Sequence, residues 1–235
     1  MSRVELPWPP CSRRLDPASN MMQYLLEHFA CAVCAVTGVL AGKGKRLDLF
    51  GVIVLALATA LGGGTIRDLT LGVTPVFWIA DPRFVQTAIA VAVVTFVVAR
   101  FWVLPPAVLL VADAFGLALF TIIGVEKALA HGNSHTIAIL MGIVTGVGGG
   151  LIRDVLSGEI PLVFRKEIYL YATAAFCGAS LLVLLNAIFP MWTGNRMVAA
   201  VTTLLLRLAA IRWKLRLPAF MPRDEAGASK PESET

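Results

Sequence analysis

Charge is scarce in this chain. Of 235 residues only 15% are charged, while 57% are hydrophobic and the mean hydropathy is +0.78. A soluble domain of this size needs a more polar surface, so a soluble fold is excluded. Residues suited to catalysis or metal binding are also few. The three histidines, His28, His131 and His135, do not form a ligand set. His28 reads as interfacial and the other two as loop residues. Four cysteines are present, and Cys31 and Cys34 make a C-x-x-C inside an apolar segment. They share a helix face and read as small packing residues. A redox or zinc role needs a polar site and further ligands, which the sequence lacks. No Ser-His-Asp set, phosphate loop or metal cluster appears, so neither an enzyme nor a cofactor is expected. Residues 1–20 hold Pro, Arg, Ser and Trp without an apolar core, and read as a flexible tail rather than a signal peptide.

What the chain has instead is a series of continuous apolar runs. Several approach the ~20 residues that cross a bilayer as helix. A β-barrel would alternate in polarity, and these runs do not. Seven spans are predicted: 21–41, 47–71, 84–103, 107–130, 136–156, 167–189 and 194–213. The last is short and carries Arg207. The net charge of +5 reads as topology charge, not as a nucleic-acid footprint. With the N-terminus outside, the inner face receives Lys43, Lys45, Arg46, Arg100, Arg165, Lys166, Arg212, Lys214 and Arg216. The outer face receives Arg83, Lys127 and Arg196, with Arg3, Arg13 and Arg14 in the tail. The excess predicts N-out, C-in. Trp8, Trp78, Trp102, Trp192 and Trp213 mostly fall at span boundaries, as an aromatic belt would.

The most informative feature is a repeat. Gly62, Gly63, Gly64, Thr65, Ile66, Arg67 and Asp68 return as Gly148, Gly149, Gly150, Leu151, Ile152, Arg153 and Asp154, an offset of 86 (148 − 62). Extended to Pro75 and Pro161, eight of fourteen positions are identical, Gly72 with Gly158 included. The same shift sets Glu27 on Asp113 and Gly38 on Gly124. Spans one to three thus correspond to spans four to six. Three is odd, so the second copy enters from the opposite side, as an inverted repeat. The predicted fold is an all-α membrane protein: two inverted three-helix repeats (21–104 and 105–190) and a seventh helix (191–216), between tails 1–20 and 217–235.

Three glycines in a row weaken a helix by roughly 1 kcal/mol each relative to Ala. Two readings follow: a helix break lining a permeation path, or close packing through small residues. The duplication favours the break. Arg67, Asp68, Arg153 and Asp154 would then start half-helices, where an Asp suits the positive helix end. Adjacent residues do not face each other on a helix, so crosswise partners between the repeats are expected. The other reading makes the pairs latches at the membrane surfaces. Glu27 and Asp113 read either as cation-attracting carboxylates at a pore mouth or as partners for Arg67 and Arg153. Glu126 and Lys127 read as a solvated helix end.

The run Phe50, Gly51, Val52 through Ala60, Leu61, Gly62, Gly63, Gly64, Thr65, Ile66, Arg67, Asp68, then Gly72 and Pro75, Val76, Phe77, Trp78, resembles the bacterial TRIC (trimeric intracellular cation) channel family. The family's domain has also carried the labels glycine transporter and UPF0126. The resemblance covers about residues 22–190 and both motif copies. It implies a homotrimer in a bacterial inner membrane with one pore per protomer. That pore is lined by the first two helices of each repeat and conducts monovalent cations, chiefly K+. The implied partners are K+, membrane lipid and further copies of the chain, with no nucleic acid. Animal members carry a basic motif in the second helix that is missing here, so their lipid regulation is not carried over. The rival reading is a secondary transporter for a small amino acid such as glycine, since broken helices in inverted repeats serve carriers too. A third is a non-conducting scaffold.

Overall fold

Long apolar runs form helices because a helix satisfies every backbone group within its own segment. The computed structural model describes residues 17–102, 105–164, 171–190 and 192–213. Within them run α1 (Pro17–Ala41), α2 (Leu49–Thr70), the short α3 (Phe77–Ala80), α4 (Arg83–Phe101), α5 (Pro106–Ala130), α6 (His135–Leu156), α7 (Tyr171–Ile188) and α8 (Asn195–Trp213). A 3-10 turn, Leu162–Phe164, follows α6. No strand occurs among the described residues. Six helices (α1, α2, α4, α5, α6 and α7) are long and apolar enough to cross a membrane. The shortest of the six candidate spans has 18 residues, roughly 27 Å of helix. The segment expected as a seventh span forms the helix α8, which Arg196, Arg207 and Arg212 keep out of that group. Of the charges used for orientation, Arg3, Arg13, Arg14, Arg165, Lys166, Lys214 and Arg216 lie outside the described residues. So do residues 167–170 of the sixth predicted span.

The helix ends repeat as the sequence does. Asp48 caps α2 by accepting the Gly51 N–H at 2.7 Å, and Ser134 caps α6 by accepting that of Ile137 at 3.4 Å. At the other ends, Gly72 and Gly158 take φ of 70° and 71°. There Val73 N–H bonds Asp68 O at 2.8 Å and Glu159 N–H bonds Asp154 O at 2.9 Å, so both helices stop in the same Schellman turn. The duplicated Gly72 and Gly158 are therefore helix stops.

Small residues let the helices pack closely. Ala35 and Cys31 of α1, Ala56 and Ala60 of α2, and Ala88 and Ala92 of α4 join one core. Val125 and Ala128 of α5, Ala138 of α6, Ala179 and Leu182 of α7, and Ala199 of α8 join another. Without a hydrophobic force between helices in lipid, such contacts hold a bundle by van der Waals packing. Large apolar side chains such as Val94, Phe101, Phe176, Leu184 and Leu205 point outward. In water they would be a liability, but in lipid they are the solvated face. The α1/α2/α4 set meets the α5/α6/α7 set along α2 against α6 and α1 against α5, and α8 lies on α5 and α7.

Candidate functional site

The two glycine runs meet where α2 crosses α6. The expected break is absent: both helices run without interruption through Gly62, Gly63 and Gly64 and through Gly148, Gly149 and Gly150. What each glycine supplies is room. A Cβ on Gly63 would stand 2.2 Å from the Thr145 carbonyl oxygen, and one on Gly149 would stand 2.3 Å from that of Thr59. One on Gly62 would meet the Ile152 side chain, and one on Gly148 the Gly63 Cα and the Ile66 side chain. Ile66 and Ile152 are themselves 86 positions apart, so the contact is reciprocal. Close backbone approach offsets the propensity cost, as at membrane small-residue crossings. The third glycine of each run admits an aromatic side chain: the Phe77 ring at Gly64 and the Tyr171 hydroxyl at Gly150.

Beside this crossing lies a cleft whose wall includes Thr37, Thr59, Thr145, Gly63, Gly149 and Asp113. The threonine hydroxyls are committed. Thr37 donates to Cys34 O at 2.8 Å, Thr59 to Leu55 O at 2.6 Å and Thr145 to Met141 O at 2.5 Å. A hydroxyl has one hydrogen and two lone pairs. With the hydrogens bonded to their own helices, the lone pairs remain for the cleft. Cys34 also lines this cleft, whereas Cys31 is buried with its thiol 3.6 Å from Phe84 O.

The charged residues gather at two separate places. In the first, Arg67 Nε donates to Asp68 Oδ1 at 2.8 Å, and Lys127 Nζ of α5 reaches the same oxygen at 2.8 Å. In the second, Arg153 Nε donates to Asp154 Oδ1 at 2.8 Å and its Nη1 to Asp113 Oδ1 at 2.9 Å. The Tyr171 hydroxyl adds a bond to Asp113 Oδ1 at 3.3 Å. In each cluster the second aspartate oxygen accepts a backbone N–H just past the helix end: Phe77 at 2.9 Å for Asp68, Leu162 at 2.8 Å for Asp154. That bond pins the carboxylate beside its own helix, where the long arginine can curl back onto it.

Three expectations are corrected here. Arg67, Asp68, Arg153 and Asp154 lie in the last turns of whole helices, not the first turns of half-helices. Adjacent Arg and Asp do pair, because the carboxylate is held off the helix surface by the turn that follows. The two motifs do not pair crosswise either. Asp113 and Lys127 sit fourteen positions apart on α5 (127 − 113), so the clusters are separated by roughly 21 Å along it.

The match between Glu27 and Asp113 also ends at the sequence. Asp113 partners Arg153, as one reading expected, whereas Glu27 accepts from Gln23 at 3.1 Å and leaves the Arg67 cluster to Lys127. Lys127 is therefore not a solvated helix end: its side chain is only 25% exposed. Its neighbour Glu126 pairs with Arg196 of α8 at 3.3 Å. Sequence reasoning does not reach the site roles of Lys127, Tyr171, Thr59 and Thr145. A lysine within the last turn of an apolar helix is the available signal. The threonines carry one too, since Thr59 and Thr145 are 86 apart. His28 stacks on Phe84 at 4.0 Å, and the His131 ring meets its own helix end at Lys127 O, at 2.8 Å.

This arrangement has relatives. A family model described as glycine transporter matches twice, over residues 24–100 and 110–187. A UPF0126 membrane protein of Vibrio cholerae is 47% identical over 203 residues, 84% of this chain and 82% of the relative. The UPF0126 inner membrane protein YadS of Escherichia coli is 47% identical over 215 residues, 88% of this chain and all of the relative. Among solved structures, a TRIC trimeric intracellular cation channel orthologue from Rhodobacter sphaeroides superposes with a TM-score of 0.78 at 40% identity, covering 83% of this chain and 100% of its own. A prokaryotic TRIC channel in 0.5 M KCl gives 0.77 at 30% identity, covering 84% and 100%. With two family matches spanning most of its length and relatives this similar, the chain belongs to the TRIC/UPF0126 family of membrane proteins.

Proposed function

We propose that this protein is a passive channel for monovalent cations, K+ foremost, with one pore in each protomer of a homotrimer in a bacterial inner membrane. The observation that carries the reading is the cleft at the α2/α6 crossing, where side-chain oxygens stand as acceptors: the hydroxyls of Thr37, Thr59 and Thr145 with their hydrogens engaged, and the Asp113 carboxylate. Oxygen lone pairs replace a cation's hydration and repel an anion. The direct backbone contact of Gly63 with Thr145 and Gly149 with Thr59 is the narrow point, so the pore is built on crossed helices and not on broken ones. The charge clusters on either side, Arg67 with Asp68 and Lys127, and Arg153 with Asp154 and Asp113, are the charges a permeating ion meets on entering and leaving. Glu27, half-buried near the first, adds negative charge at that mouth.

Seven crossings with an outside N-terminus put the charged pairs between distant helices on one side or the other without conflict. Lys127 with Asp68, Glu126 with Arg196, and the hydrogen bond of Tyr24 to Asp81 fall outside. Arg153 with Asp113 and Lys45 with Glu159 fall inside. The two three-helix sets are then inverted copies, and α8 is the seventh crossing.

A carrier for glycine would need a fixed cation for the substrate carboxylate beside acceptors for its ammonium. The cleft supplies the acceptors, but Arg153 is already held by two carboxylates. The deciding measurement uses purified protein in liposomes, comparing valinomycin-independent K+ flux with uptake of radiolabelled glycine. Single-channel K+ currents are expected. Saturable, ion-coupled glycine uptake without such currents would reverse the assignment.

A further inference from the structure

Helix α8 carries a charge that packing alone does not call for. Arg207 has no exposed surface, and its guanidinium carbon stands 4.6 Å from the centre of the Tyr171 ring. A leucine there would fill the space without desolvating a cation. Tyr171 is buried too, and its hydroxyl donates to Asp113 Oδ1. Arg153 Nη1 binds that same oxygen. Oδ1 is thus used twice, while the buried Oδ2 has no hydrogen-bond partner among the described residues. The carboxylate stands in the wall of the cleft. Gly150 makes room for the arrangement, since a Cβ there would lie 2.9 Å from the Tyr171 hydroxyl and 3.3 Å from Asp113 Oδ1. A guanidinium over the ring face draws on its π-electrons, which fixes the ring and strengthens the hydroxyl as a donor.

We propose that Arg207 and Tyr171 are positioning residues for ion passage. They hold Asp113 with Oδ1 tied and Oδ2 turned free to a passing cation. Through them α8, which has no counterpart in the repeat, sets the throughput of the pathway. This rests on the channel reading above.

The test reconstitutes the full chain in planar bilayers under a KCl gradient, as wild type, Tyr171→Phe, Arg207→Met, Arg207→Lys and the Tyr171→Phe/Arg207→Met double variant. Thermal unfolding of each is followed separately in detergent. Tyr171→Phe removes one oxygen and keeps the packing, so it reports on position even if Arg207→Met folds poorly. Unitary K+ conductance in Tyr171→Phe should fall about fivefold, the weight of one neutral hydrogen bond, with the reversal potential moving toward that of Cl−. Arg207→Met should do the same, and the double variant should be no worse than either. Arg207→Lys should keep most of the current, because an ammonium also sits over a ring. Wild-type conductance and reversal potential in Tyr171→Phe would overturn the proposal, whatever happens to melting. Additive losses in the double variant would overturn it as well. If the wild type itself passes no current, the channel reading fails and this proposal with it, so the wild-type trace tells the two failures apart.

Discussion

Arg153 has no exposed surface and is held by two carboxylates, Asp113 and Asp154, each within 2.9 Å. Removing it leaves two acids buried without their cation. Arg153→Ala should cost about 3–5 kcal/mol of stability, read by thermal unfolding in detergent. Combining it with Asp113→Ala should cost clearly less than the sum, because the second change removes a charge the first had stranded. Arg67 paired with Asp154 is the control. The residues belong to clusters roughly 21 Å apart, and additivity is expected beyond about 10 Å. Strong coupling between them would mean that the two clusters act as one site. The Lys45–Glu159 pair is the opposite case, with both side chains more than a third exposed. Glu159→Gln should change stability by less than about 1 kcal/mol.

Glycine does two different jobs on α2 and α6, and substitutions separate them. At Gly63 and Gly149 the backbone is helical, and the opposite helix occupies the place of a side chain. A methyl there must push α2 and α6 apart. Gly63→Ala and Gly149→Ala should each cost about 1–3 kcal/mol, the range for overpacking, and change unitary conductance. Gly72 and Gly158 have φ near +70°, and a Cβ at either would meet nothing within 4 Å. Gly72→Ala and Gly158→Ala should therefore cost only the left-handed backbone penalty, about 1–2 kcal/mol, and leave conductance unchanged. If the Gly63 and Gly149 variants conduct normally, the crossing is not the narrow point of the pathway.

At the scale of the whole molecule, the bundle is two similar three-helix sets joined through α2 and α6, with α8 added on one side. Orientation is the property on which every loop assignment depends. A reporter active only in the cytoplasm, fused after Thr235, should be active; activity only from an N-terminal fusion would invert the topology. The proposed trimer should appear as a threefold chain mass by light scattering in detergent, and a monomer mass with intact conductance would detach the pore from assembly.

The sequence determined the class, the helices and the repeat by itself. Span length follows from bilayer thickness, and apolar composition from the absence of water, so both are written in local composition. The offset of 86 located the duplicated glycines, Gly72 and Gly158 among them, and pointed to the family. It did not reveal the continuity of α2 and α6. Three glycines look costly when considered along one helix, and only the second helix, laid against them, shows what the missing side chains make possible. Nor did it reveal the partners of Arg67 and Arg153. Equal residues at equal offsets suggested equal roles for Glu27 and Asp113, yet Lys127 took the place that symmetry gave Glu27. Ion-pair partners are chosen by which side chains arrive within about 3 Å, and that distance is set by how α1, α5 and α8 pack, which no local pattern encodes.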